Sequence, residues 1–176
     1  MGYFPLCMDL RGKKVLLVGT GPQIADKAEK LRPFGAQLLR CDDPHQPALD
    51  QEIAFVVVGD VDRQTACRVS CLCRERGIPV NVVDDPRNST FFFPSLIVRG
   101  DVTVSVSTGG KAPGGGACIS RLIGSVLPED TGEIIDRLQA LRTELYGKYP
   151  REEAKRLLRK AAARAFGVMI PSEKNW

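Results

Sequence analysis

Lys14-Val15-Leu16-Leu17-Val18-Gly19-Thr20-Gly21-Pro22-Gln23-Ile24 is the stretch whose reading decides the fold. Lys14 to Val18 is a short apolar run bounded by charge and glycine, the pattern of a strand buried on both faces. It runs straight into Gly19-Thr20-Gly21. The periodicity then becomes helical, with Ile24, Ala28 and Leu31 recurring at spacings of four and three. A strand, a glycine turn and a helix start in this order suit a nucleotide site. The first glycine allows the tight turn and the second lets a pyrophosphate approach the backbone. The helix N-terminus adds free N–H groups and a positive dipole end. Gly19, Thr20, Gly21, Pro22, Gln23 and Ile24 are therefore the expected cofactor-binding residues; a purely structural turn is the competing reading. The third fingerprint position, ordinarily small, is Ile24.

Outward from this turn the alternation continues. Pro33 and Gly35 stop the first helix, and residues 36–40 read as a second strand. Ile53 to Val58 is a third, Asp62 to Gly77 a helix, and Pro79 to Val83 a fourth strand. Apolar strands alternating with helices predict an α/β fold, a Rossmann-like parallel sheet covered on both faces. The end of the second strand normally reads the ribose. An acid there, Asp42 or Asp43, favours NAD, whereas Arg40 would favour a 2′-phosphate. Asp60, after the third strand, is counted with the cofactor set. Asp84 and Asp85 follow the fourth strand at the carboxyl edge of the sheet. A carboxylate there can move a proton beside a cofactor, or the pair can simply begin a turn before Pro86.

The character changes beyond residue 90. Residues 91–98 and 102–107 read as a strand pair, and Gly109 to Gly116 as a loop. Helices are expected at about 117–127, 131–147 and 151–166. The first should start late, because Gly114, Gly115 and Gly116 each cost about 1 kcal/mol against alanine in a helix. The expected organisation is a Rossmann domain (1–90), a strand pair or dimerisation element (91–113), and a helical C-terminal region (114–176).

Composition narrows the classes further. In 176 residues, 43% hydrophobic and 26% charged content allows an ordinary globular core. No apolar run reaches the ~20 residues that span a bilayer, and none resembles a secretion signal, so a cytoplasmic protein without membrane attachment is expected. The net charge of +4 concentrates near the C-terminus, at Arg151, Lys155, Arg156, Arg159, Lys160 and Arg164. A solvated helix face explains this run more simply than a nucleic-acid or polycarboxylate contact, and no nucleic-acid partner is expected. Cys67, Cys71 and Cys73 lack the paired CxxC knuckles of zinc sites and read as structural, and no metal site is expected. His45 is the single histidine, which leaves little room for histidine-based catalysis.

Taken together, these residues resemble the precorrin-2 dehydrogenase/sirohydrochlorin ferrochelatase family, which also forms the N-terminal module of bacterial siroheme synthase. The matching blocks are Tyr3-Phe4-Pro5-Leu6, Asp9 to Lys13, and Val18 to Gly21 with Lys27-Ala28. Further on come Arg76 to Pro86 (RGIPVNVVDDP), Phe93-Pro94-Ser95, and Ser107 to Pro113 (STGGKAP). The resemblance implies a homodimer that exchanges strands and helices beyond the Rossmann domain. It implies NAD-dependent oxidation of precorrin-2 to sirohydrochlorin, with ferrous or cobaltous insertion as a further step in some members. A non-catalytic module of the same fold that binds NAD or tetrapyrrole is the alternative. It assigns the catalytic acid/base to Asp84 and substrate contacts to Asn81, Thr108, Gly109, Gly110 and Lys111. Lys111 and Arg121 are suited to the substrate's many carboxylates. No methyltransferase domain follows, so methylation is expected from another protein.

Overall fold

The computed structural model describes residues 4–41, 43–45, 47–49 and 52–168. The chain divides into two compact units, Met1–Phe93 and Pro94–Trp176.

The first unit is a parallel sheet of β1 (Lys14–Val18), β2 (Gln37–Cys41), β3 (Ile53–Val58) and β4 (Val80–Val82). The strand order is β2-β1-β3-β4. Two helices join them, α1 (Pro22–Leu31) and α2 (Arg63–Glu75). Successive side chains of a strand point to opposite faces, so β1 and β3 supply two cores at once. Val15, Leu17, Phe55 and Val57 pack with Ile24 and Leu31 of α1. Leu16, Val18, Val56 and Val58 pack with Val69 and Cys73 of α2. Both faces are thus covered, which explains the unbroken apolar runs. Cys73 is fully buried, and that burial pushes its thiol up to about 11. Cys41 is also buried, but Cys7, Cys67, Cys71 and Cys118 are exposed. Of the three cysteines read as structural, Cys73 is buried, whereas Cys67 and Cys71 face solvent from α2.

Among the described residues β4 pairs with β3 on one side, and side chains finish its other edge. Val80 N–H donates to Thr90 Oγ1 at 2.8 Å, and Val82 N–H to Ser89 Oγ at 2.9 Å. Such covering prevents edge pairing with other chains. The strand expected from residue 91 starts only at Ser95. The aromatic run preceding it folds into the first unit instead: Phe91 and Phe93 stand edge-on to Phe55, with ring centroids 5.0 and 6.3 Å away. Burial of these rings outweighs their strand propensity.

The second unit contains the antiparallel pair β5 (Ser95–Arg99) and β6 (Val102–Val106). It continues with α3 (Pro113–Val126), α4 (Thr131–Lys148) and α5 (Arg151–Ala165). α3 corrects the late helix start, because Gly114, Gly115 and Gly116 all lie in its first turns. Pro113 occupies the first helical position, where its missing N–H costs nothing, and Gly116 N–H bonds Ala112 O at 3.1 Å. A Cβ at Gly116 would meet Ser95 Oγ at 3.5 Å and Thr108 Cγ2 at 3.6 Å, so this glycine brings the helix close to the strand pair. Tertiary packing here overrides propensity.

A tighter constraint joins the β5–β6 turn to α4. A Cβ at Gly132 would lie 2.9 Å from Gly100 Cα and 3.1 Å from Arg99 O. Gly132→Ala is expected to lower stability by about 1–3 kcal/mol through this backbone clash. Gly147→Ala, in open space on the same helix, should raise it by about 0.5–1 kcal/mol. Urea unfolding of both variants checks the sign reversal.

Candidate functional site

The carboxyl ends of β1, β3 and β4 are in register, with Val18 opposite Val58 and Val58 opposite Val82. The ladder extends one step further, through Gly59 N–H to Val18 O at 3.1 Å and Val83 N–H to Val58 O at 2.8 Å. Gly19, Gly59 and Asp84 consequently emerge side by side, at the edge where open α/β sheets bind ligands.

Gly19 has φ +113°, and a Cβ there would stand 1.8 Å from Gly59 O. Gly21 is crowded in turn by the Asp60 side chain, whose Cγ would be 2.4 Å from a Cβ. Both glycines are therefore required by the approach of the loop after β3. Gly21 caps α1 without a side chain, and Pro22 supplies no N–H. Ile24 N–H donates to Asp60 Oδ2 at 3.0 Å. The Ala25 N–H bonds Gly21 O at 3.1 Å, which leaves Gln23 N–H as the first-turn donor without an acceptor among the described residues. One backbone donor, the Gln23 N–H, and the helix dipole remain for a phosphate group, beside the Asp60 carboxylate that packs on Gly21 and accepts from Ile24 N–H. Ile24 itself is 1% exposed, so its side chain serves the α1 core and only its backbone faces the turn. Thr20 is exposed on the turn, and Asp42 lies outside the described residues.

Asp60 and Asp84 share a feature that no spacing reveals. Both hold positive φ, +54° and +59°, where a non-glycine residue carries about 1–3 kcal/mol of strain. Strain of this kind persists where surrounding structure enforces it. Here Gln23 connects the two. Its Nε2 donates to Asp84 Oδ2 at 2.9 Å, and its Oε1 accepts from the Asp60 N–H at 3.3 Å.

The acidic pair after β4 divides into two roles. Asp85 Oδ1 accepts from the N–H groups of Arg87 and Asn88, and Oδ2 from Asn88 Nδ2 at 2.7 Å. It caps the short 3-10 turn Pro86–Asn88, and the Asn88 amide holds its carboxyl below the usual range. Asp62, the N-cap of α2, is likewise lowered, chiefly by the Thr65 hydroxyl. Since both folded values lie below the unfolded ones, their stabilisation is present above about pH 4 and lost as pH falls through the folded values. Asp85→Ala should cost about 1 kcal/mol and flatten part of that acid-side decline. Denaturation midpoints measured between neutral and acidic pH test this. Asp84, by contrast, is exposed and not used as a cap.

Asn81, expected to contact substrate, lies inside the first unit. It is 6% exposed, and its Nδ2 donates to Phe91 O at 3.0 Å, tying β4 to the aromatic segment. Thr108, Gly109, Gly110 and Lys111 lie in the second unit, in the loop leading to α3. Thr108 Oγ1 donates to Ala112 O at 3.1 Å, Gly109 and Gly110 hold φ of +64° and +78°, and Lys111 is exposed. Among the described residues no group of three or more His, Cys, Asp or Glu side chains is arranged to hold a metal ion. None of their helices is long and apolar enough to cross a membrane.

The chain resembles known proteins in sequence and in fold. Residues 39–95 fit the family model NAD_binding_7, "Putative NAD(P)-binding", a span that begins beyond the glycine turn and includes Asp60 and Asp84. The chain is 32% identical over 173 residues to siroheme synthase of Gluconobacter oxydans, covering 85% of this chain and 37% of that protein. It is 33% identical over 177 residues to siroheme synthase 2 of Aeromonas hydrophila, covering 90% and 36%. Siroheme synthase of Thiobacillus denitrificans is 35% identical over 162 residues, covering 80% and 33%. The chain thus spans little more than a third of these relatives' length. Its fold superimposes on that of SirC, a precorrin-2 dehydrogenase, with a TM-score of 0.67 at 18% identity, covering 90% of this chain and 88% of the other.

Proposed function

We propose, since this chain belongs to the precorrin-2 dehydrogenase and siroheme synthase family, that it is an NAD-dependent dehydrogenase converting precorrin-2 to sirohydrochlorin. The single observation that carries this reading is the Asp84 carboxylate. It stands on a left-handed residue beside the glycine turn, with Gln23 between it and Asp60. Oxidation of this kind removes one hydride and one proton from the substrate. Bound at the turn, the nicotinamide dinucleotide supplies the hydride acceptor. The turn Gly19-Thr20-Gly21 would face its pyrophosphate, and the Gln23 N–H would donate to it. The Asp84 carboxylate takes the proton released by the substrate and passes it to water, for which its exposure suits it. We assign the substrate's carboxylates to the Thr108–Lys111 loop and Arg121; the exposed cations at Lys111 and Arg121 support this.

We further place the enzyme in the cytoplasm as a homodimer. The exposed thiols of Cys67, Cys71 and Cys118 suit a reducing compartment. The dimer is supported by α3, whose Ile119, Leu122 and Val126 are 45, 68 and 75% exposed, an apolar stripe that a second copy would cover.

The test is anaerobic incubation of the protein with NAD and precorrin-2, with and without ferrous or cobaltous ion. NADH and sirohydrochlorin should appear together, one for one. Binding of both compounds without NADH would replace the dehydrogenase by a non-catalytic binding module. Metal-dependent loss of sirohydrochlorin would add a chelatase step.

A further inference from the structure

We propose that Gln23 is the positioning residue for Asp84, coupling the cofactor turn to the proton-accepting carboxylate; this rests on the dehydrogenase reading above. The carboxamide is fixed at both ends. Asp60 offers a backbone N–H, which only the Oε1 of the amide can accept, at 3.3 Å. Nε2 is thereby turned toward Asp84, whose Oδ2 accepts from it at 2.9 Å. The orientation of the amide thus follows from the donor and acceptor inventory of its neighbours.

The surroundings hold this bridge in place. Gln23 sits in the first turn of α1, where the half-buried side chain projects beside Gly59, and a Cβ at Gly59 would lie 3.4 Å from Oε1. Asp60 and Asp84 reach it from the ends of β3 and β4, and both do so with positive φ. Asp60 presents its N–H and Asp84 its carboxylate to the amide, each from a left-handed residue. Gln23 Nε2 is the hydrogen-bond partner of the Asp84 carboxylate among the described residues. Without it, an exposed carboxylate would spread over several rotamers. Since a displacement of about 1 Å can cost about a hundredfold in rate, one oriented hydrogen bond has a large kinetic consequence. The bridge also begins in the turn that binds the dinucleotide, so the carboxylate is held relative to the cofactor's own seat.

Two substitutions separate positioning from cofactor contact. Gln23→Met keeps length and removes both hydrogen bonds. Gln23→Glu keeps the acceptor for Asp60 N–H but offers Asp84 a like charge and no donor. Both should lower kcat by about ten- to a hundredfold while the KM for NAD changes by less than about threefold. Thermal melting of both variants should stay close to the wild type. A raised NAD KM with unchanged kcat would make Gln23 a cofactor contact and overturn the proposal, as would an unchanged kcat in both variants. A second measurement needs no turnover. The side-chain amide signals of Gln23 in ¹⁵N NMR should move on Asp84→Ala substitution; signals that stay in place would show that no such bond forms. If the wild-type protein yields no NADH, the dehydrogenase reading falls, whereas the amide signals still decide whether Gln23 holds Asp84.

Discussion

Asp84→Asn is expected to slow precorrin-2 oxidation by about 10²- to 10⁴-fold, the usual contribution of a positioned general base. The substitution is unusually clean at this position. Asparagine is among the few residues that tolerate left-handed backbone, so φ +59° is retained without added strain. Its Oδ1 can still accept from Gln23 Nε2, and the turn bond from Asp85 N–H to Val82 O involves backbone alone. What disappears is the capacity to take a proton. NAD affinity and the melting temperature should therefore stay near wild type while kcat falls. Steady-state NADH formation and calorimetric titration with NAD measure the two arms. A variant that retains more than a third of the wild-type rate would remove Asp84 from the chemistry. The same assay on Asp85→Asn serves as a control. That residue caps a turn, so its loss should act on stability far more than on turnover.

Gly19→Ala is expected to cost about 3 kcal/mol or more of stability. Its Cβ would stand 1.8 Å from Gly59 O, against a backbone that cannot rotate away like a side chain. Relief requires the end of β3 to retreat from β1, which breaks the Gly59 N–H to Val18 O bond at 3.1 Å. Overpacking of this kind costs about 1–3 kcal/mol, and strain at φ +113° adds to it. Gly12→Ala isolates the second contribution. Gly12 holds φ +69° with nothing within 4 Å of a Cβ, so conformational strain alone, about 1–2 kcal/mol, is expected. Urea midpoints for the two variants give the difference. Equal midpoints would mean that Gly59 yields without resistance. Because Gly19 also shapes the phosphate cradle, NAD binding should be lost together with stability in the first variant and kept in the second.

The parallel sheet was legible because its cause is local and periodic. A strand buried on both faces must be apolar at every position, and Lys14–Val18 and Ile53–Val58 satisfy this whatever surrounds them. The glycine turn was legible for the same reason. Strand ends at residues 18 and 58 followed from these runs; the fourth strand, read to Val83, ends at Val82, and the three ends place Gly19, Gly59 and Asp84 along one edge. Elsewhere local preference misled. The propensity of glycine argued for a late start to α3, yet Gly116 lies within it because close packing on Ser95 and Thr108 favours a residue without a side chain. Phe91 and Phe93 have the residue type of a strand, and a core ring at Phe55 holds them outside one.

By itself, then, the sequence determined the α/β class, the order of elements in the first unit, the glycine turn, and an acidic pair at the end of β4. Each of these depends on neighbours within a few positions along the chain. The tertiary structure alone decided which acid of the pair is available: Asp85 is consumed by Arg87 and Asn88, while Asp84 faces Gln23. It alone tied Asn81 to Phe91 and joined Gln23 to residues 37 and 61 positions away. Hydrogen bonds between side chains on different elements have no period along the chain. They arise only when the sheet brings three strand ends and a helix start together.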